Sequence, residues 1–306
     1  MSGGRSSQRT GFWRYQIILH VLATLLAVCA GTLGAGAAMA QSSQPKTVSF
    51  PSEDGRTTLT GYLFAPLSKP RTAPAVVLMH GRGGVYSSLA KGNYSAVTIE
   101  KRIRHWAELW SAQGYWALVV DSFGPRGFPS GFPAGTDDER PNAINEVTVR
   151  PLDAYGALKY LRASPRVTAS RIALQGWSNG GSAVLAAMAE QSLDSAHRAS
   201  GEGFRAAIAL YPGCGLQGHF KDDYKPYAPL RVFIGSSDEE VSPARCQSLA
   251  TESKALGGDL DLTIYPKATH DFDDPGRSRQ LVAANVAASK ETEQKALAFF
   301  STRLAP

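Results

Sequence analysis

The chain has 306 residues, 43% of them hydrophobic and 19% charged, which suits a globular protein with one large core or two small ones. A formal net charge of +6 with no basic cluster argues against nucleic acid as a partner.

The first forty residues stand apart. Arg5, Arg9 and Arg14 precede an apolar run, Ile17 to Ala30, and small residues then lead to Ala38-Met39-Ala40 before Gln41. That is the layout of a signal peptide over residues 1–40, leaving 41–306 as a single mature domain. The apolar run is about 14 residues, shorter than the roughly 20 needed to span a bilayer, so cleavage is favoured over a retained anchor. Val28 stands where a lipid-attachment motif at Cys29 would want a small residue. The mature chain is expected to be periplasmic or secreted, with no stable membrane insertion after cleavage. Its charge falls from +6 to +3, because the leader holds three arginines and no acid. Of the three cysteines only Cys214 and Cys246 remain. An oxidising compartment invites a disulfide between them, with two buried free thiols as the alternative. A Cys-X-X-Cys or zinc pattern is absent.

The segments Thr47–Phe50 and Thr58–Phe64 flank Asp54-Gly55 and read as a hairpin. Ala75–Met79 is an unbroken apolar run, as expected of a strand buried on both faces, and it ends in the loop His80-Gly81-Arg82-Gly83-Gly84. Glu100–Gln113 carries Ile103, Trp106, Ala107 and Trp110 at helical spacing, which marks the tryptophans as core residues. Trp116–Val120 is the next strand, with Asp121 at its end. The stretch 122–145, rich in Pro and Gly over Ser122–Thr136 and then carrying the charged run Asp137 to Arg140, is long enough to border or cover a site.

Val147–Ala163 reads as a helix, and Ile172–Leu174 as a strand that runs into Gly176-Trp177-Ser178-Asn179-Gly180 and a small-residue helix. Strand, one-residue corner and helix form the context in which G-x-S-x-G is a nucleophile elbow. The strands Ala206–Leu210, Leu230–Ile234 and Leu260–Tyr265 follow, the second ending in Gly235-Ser236-Ser237-Asp238 and the third leading to His270. Pro243–Leu256 and a long helix from about Arg279 to Arg303 complete the chain. Alternating strands and helices from residue 75 onward predict an α/β fold: one mostly parallel sheet with helices on both faces.

Gly81-Arg82, Asp121, Ser178, Asp238 and His270 each follow a strand, so a parallel sheet gathers them at one edge. Ser178 is the candidate nucleophile, His270 the base and Asp238 the orienting acid. Glu239 and Glu240 are rivals to Asp238, whereas Asp121 precedes the serine and reads as a loop-fixing residue. Of the other histidines, His20 lies in the leader, His105 in a helix, His197 and His219 in polar stretches, and His80 in the glycine loop as a structural hydrogen-bonder. The backbone N–H groups of Asn179 and of Gly81 or Arg82 are the candidate oxyanion donors.

These segments resemble the dienelactone hydrolase family of α/β hydrolases. The resemblance rests on Leu78–Gly84, Asp121–Gly127, Gly176–Gly181, Gly235–Asp238 and His270-Asp271-Phe272, and it spans about residues 47 to 303. The family's founding enzymes carry cysteine at the nucleophile position, where this chain has Ser178, so it implies serine esterase chemistry on a carboxylic ester or lactone. Such a triad calls for no cofactor and no metal. Arg82 and Arg126, both in loops at the catalytic edge, are candidates to hold a substrate carboxylate, or else to fix the loop to Asp121 or Asp137. A peptidase or amidase using the same three residues, or a non-catalytic binding protein on this scaffold, would share these features.

Overall fold

Each segment read above as a strand is one in the computed structural model of the chain. The structure describes Met1 and residues 44–136, 139–192, 202–220 and 223–305; the expected signal peptide beyond Met1, Asp137 and His197 lie outside them. The described residues from Gln44 onward belong to one compact unit. Eight strands form one sheet: β1 (Lys46–Pro51), β2 (Thr58–Phe64), β3 (Ala73–Met79), β4 (Trp116–Asp121), β5 (Val167–Trp177), β6 (Ala206–Leu210), β7 (Leu230–Gly235) and β8 (Leu260–Tyr265). Their order is β1-β2-β4-β3-β5-β6-β7-β8. The hairpin β1–β2 is antiparallel, β2 pairs antiparallel with β4, and every pairing from β4 to β8 is parallel.

Burial follows position in the sheet. All six residues of β4 and all five of β6 are buried, which requires cover on both faces. At one edge β1 alternates buried and exposed residues, as a strand with one wet face does. The hairpin turn is fixed by Asp54, whose carboxylate accepts from the backbone N–H of Arg56 and Thr57 and from the Thr57 hydroxyl.

Among the described residues are six α-helices: α1 (Lys101–Ala112), α2 (Arg150–Arg162), α3 (Asn179–Met188), α4 (Pro243–Ala255), α5 (Arg277–Gln280) and α6 (Ala283–Arg303). Glu100 caps α1 by accepting from the N–H groups of Arg102 and Ile103. The buried stripe of α1 is Ile103, Trp106, Ala107 and Trp110, so both tryptophans are core residues. The single C-terminal helix expected from about Arg279 is instead two, separated at Leu281 and Val282. Asn285 accounts for the break. Its buried amide donates to the carbonyl of Arg279 and to the Thr269 hydroxyl, and its oxygen accepts the Thr269 N–H.

Cys214 and Cys246 are joined by a disulfide that ties the segment after β6 to α4 across 32 residues. Among the described residues no helix is long and apolar enough to cross a membrane. Restricting a loop of this length in the unfolded chain contributes about 3–4 kcal/mol. The double variant Cys214→Ser/Cys246→Ser is therefore expected to unfold at clearly lower urea concentration. An unchanged midpoint would show that the link contributes nothing.

Candidate active site

The sharp corner after β5 is built by sterics. Ser178 adopts φ 51° and ψ −117°, a strained conformation for a residue with a side chain. A Cβ on Gly176 would stand 2.4 Å from the carbonyl oxygen of Gly180, and one on Gly180 would stand 2.1 Å from that of Met79. Glycine is required at both positions because the strand, the following helix and the end of β3 cross there in contact. The Ser178 N–H is anchored to the carbonyl of Leu210 at 2.9 Å.

The corner delivers Ser178 Oγ to within 2.9 Å of His270 Nε2. On the far side of the ring, His270 Nδ1 lies 2.9 and 3.0 Å from the two oxygens of Asp238. A carboxylate only accepts, so Nδ1 carries the proton and Nε2 is left to accept from the serine hydroxyl. The side chains of His270 and Asp238 are both fully buried. Asp238 is itself fixed, because its Oδ1 also accepts from the N–H groups of Glu240 and Val241.

The two rival acids have other partners. Glu239 accepts the backbone N–H of His270 at 2.9 Å and pairs with Arg279. Glu240 faces the opposite ring nitrogen, 3.5 Å from Nε2, and forms a two-pronged ion pair with Arg82.

A network that the sequence did not signal holds the His270 loop from behind. The ring of Tyr211 packs against His270 with centroids 4.7 Å apart. The Tyr211 hydroxyl donates to Asp273 and accepts from Arg102. Asp273 also accepts from the indole N–H groups of Trp106 and Trp177, at 2.9 and 3.0 Å. Arg102 pairs with Asp271 as well. Burial works to raise the Asp271 carboxyl, and the adjacent Arg102 charge overrides it, holding the group at about 2. The sequence alone assigned no role to Arg102, Tyr211 or Asp273. Only the tertiary fold brings α1, β5, the segment after β6 and the His270 loop to one point.

His80 is fully buried and has the structural part expected of it. Its Nε2 accepts the N–H of Ser122 at 3.2 Å, which leaves Nδ1–H to donate to the Gly81 carbonyl at 2.7 Å. Burial and the nearby Arg150 charge push its pKa well down, consistent with a neutral ring. Asp121 fixes its loop by accepting from Tyr86 and from the N–H groups of Phe123 and Gly124. The 122–145 stretch borders the site: the N–H of Phe132 bonds the carbonyl of Arg82, and Ala134, Gly135 and Arg140 line the cavity above Ser178, as does Glu146 just after the stretch.

Of the two arginines considered for a substrate carboxylate, the structure places one at the site. Arg82 lines the cavity of about 350 Å³ that contains Ser178, Asn179 and Glu240. Arg126 does not. Its side chain is buried, donates twice to Asp153, once to Asp54 and once to the carbonyl of Ser122, and so fastens the loop to the hairpin turn and to α2. The turn at Gly127, with φ 90°, follows directly after it. The loop-fixing alternative therefore describes Arg126, with Asp153 and Asp54 as partners in place of Asp121.

A parallel sheet of this order, with a serine at a glycine-flanked corner and Asp and His after later strands, defines the α/β-hydrolase class. The profile of the dienelactone hydrolase family matches residues 59–304. The chain belongs to that family, and so to the hydrolases that act on ester bonds. Among solved structures it is similar to a dienelactone hydrolase-like promiscuous phosphotriesterase from metagenomic libraries. That likeness has TM-score 0.61 and 18% identity, covering 84% of this chain and 97% of the other. Esterase 2 of Thermogutta terrifontis, phosphorylated by paraoxon, is similar with TM-score 0.59 and 19% identity, covering 86% of this chain and 97% of that one. These likenesses show the fold. The quorum-quenching protein AidA of Acinetobacter baumannii (strain MDR-ZJ06) is 28% identical over 171 residues, 55% of this chain. The match spans about half the length of that relative, 48%.

Proposed function

We propose that the chain hydrolyses small, polar carboxylic esters or lactones through an acyl-enzyme on Ser178. The observation that carries this reading is the unbroken relay from Ser178 Oγ through His270 to Asp238, with 2.9 Å at each link. His270 Nε2 takes the hydroxyl proton as Oγ attacks the carbonyl carbon. The negative charge that develops on the carbonyl oxygen is met by the N–H of Asn179, the first and therefore unpaired donor of α3, and by that of Gly81 or Arg82. The imidazolium then protonates the departing alkoxide. A water, deprotonated by the same nitrogen, attacks the acyl carbon and releases the acid. Asp238 keeps the ring in the required tautomer and balances its charge.

The cavity supports a small polar substrate. Arg82, Arg140, Glu146, Glu239 and Glu240 contribute to its wall, against few apolar side chains. Arg82 is engaged by Glu240, so a substrate carboxylate would have to displace that pair to reach it. Export of the mature chain is part of the same proposal, supported by the leader-like residues 1–40 and by the disulfide.

A fluorophosphonate should label Ser178, and short-chain p-nitrophenyl esters should be turned over at least about tenfold faster than octanoyl or longer ones, since each unaccommodated methylene costs about 1 kcal/mol or more. The matched anilide should be a far poorer substrate than the ester. Comparable rates on the two would favour an amidase, and failure to label would favour a binding protein.

A further inference from the structure

The mechanism above leaves one fully buried cation unused. Arg150, the first residue of α2, has no exposed surface. Its Nη2 donates to the carbonyl oxygen of His80 at 2.7 Å, its Nη1 donates to Oδ1 of Asn179, and the guanidinium lies 5.0 Å from the centroid of the Phe123 ring. Both oxygens are neutral. The acids that act on it, Asp153 and Glu146, do so through space without a hydrogen bond, and burial holds the group down at about 10, still charged at neutral pH. A buried cation without a directly bonded carboxylate is expensive to keep, and an apolar side chain of similar volume would cost less.

Its two acceptors lie in the two segments that face Ser178. The His80 carbonyl and the Gly81 N–H belong to one peptide unit. The peptide unit is trans, as are all those among the described residues, so that N–H points away from the guanidinium. Gly81 abuts the serine, since a Cβ there would lie 3.6 Å from Ser178 Cβ. The next peptide unit, which carries the N–H of Arg82, has its carbonyl held by His80 Nδ1. Asn179, gripped by its side-chain oxygen, supplies the remaining donor through its own backbone. The two segments touch at the atom that Arg150 holds, because a Cβ on Gly180 would meet the His80 oxygen at 2.4 Å.

We propose that Arg150 is the positioning residue of the oxyanion site: one guanidinium locks the glycine loop after β3 and the first residue of α3 in mutual register, and its charge polarises the peptide donors toward the reacting oxygen. The inference rests on the acyl-enzyme reading above. A hydrogen bond to a peptide carbonyl strengthens the donor on the same unit, and in a buried site a fixed positive charge favours a transition state that gains negative charge. The effect belongs to the transition state, so it falls on kcat and spares KM.

The test compares Arg150→Met, Arg150→Lys and Asn179→Ala with the parent enzyme, each rate being divided by the sites that a fluorophosphonate titrates. Arg150→Met is expected to lower kcat per titrated site by about 100-fold with KM within about threefold, a loss of the size seen when one oxyanion donor is removed. Arg150→Lys, which keeps the charge but not the two-pronged geometry, should recover part of that loss. A trifluoromethyl ketone, which adds the serine and places an oxyanion in the site, should weaken in step with kcat/KM. A non-reactive amide analogue should bind unchanged. Should Arg150→Met fail to fold, Asn179→Ala frees one prong without touching the arginine and should lower kcat per site about tenfold, the weight of a single charge-assisted hydrogen bond. A purely structural residue would lower the melting temperature and the titratable fraction while each remaining site kept its kcat, and that result overturns the proposal. An inactive, unlabelled parent would instead sink the hydrolase reading itself.

Discussion

Replacing Ser178 with alanine is expected to lower kcat/KM on a p-nitrophenyl ester by about four to six orders of magnitude. The melting temperature should stay within a degree or two. The strained corner is set by Gly176, Gly180 and the anchor from Ser178 N–H to Leu210, none of which needs the hydroxyl. What the substitution removes is the proposed nucleophile and one partner of His270 Nε2. Turnover measured alongside fluorophosphonate labelling checks both sides of the claim. A variant that hydrolyses the ester as well as the parent would end the acyl-enzyme mechanism. The residual rate is itself informative, because donors at Asn179 and the glycine loop would still polarise a bound carbonyl toward water.

The second large effect concerns stability. Arg126→Ala should cost about 3–5 kcal/mol, read as a drop in the urea midpoint, with little change in the ratio of rates on carboxylated and neutral esters. The reason is what it leaves behind. The side chains of Asp153 and Asp54 are almost wholly buried, and both look to this one guanidinium. Without it both carboxylates lose the cation they share, and the loop after β4 loses its tie to the hairpin turn and to α2. If the variant were as stable as the parent and instead lost its preference for carboxylated esters, the buried assignment would be wrong and Arg126 would belong at the substrate.

Several features were legible in the chain because local chemistry fixes them. The continuous apolar runs at 75–79, 116–120 and 206–210 read as strands covered on both faces, and they are. Glycine on both sides of Ser178 marks a corner, since no other residue fits two backbones that approach so closely. Asp238 and His270 could be singled out because a parallel sheet sends the ends of its strands to one edge, whichever helices lie between.

The remaining features depend on direction and contact, which sequence spacing does not carry. Arg82 and Arg126 both sit in glycine-rich loops near the same edge. Yet Arg82 turns toward the cavity and Glu240, while Arg126 turns under its loop to Asp153, 27 residues later. Asp238, Glu239 and Glu240 are consecutive, and three different tasks fall to them because the turn after β7 points each a different way. Arg150 falls within the helix expected over Val147–Ala163 and carries no signal in the sequence. Its burial comes from the packing of α2 beneath the loop after β3 and the start of α3. The sequence by itself determined the strands, the strained corner and the order of the candidate catalytic residues, because each follows from hydrophobic pattern or steric necessity within a few residues. Tertiary structure alone decided which charges are buried, which acid meets which nitrogen of His270, and which arginine stands behind Ser178. Those outcomes depend on where segments far apart in the chain come into contact.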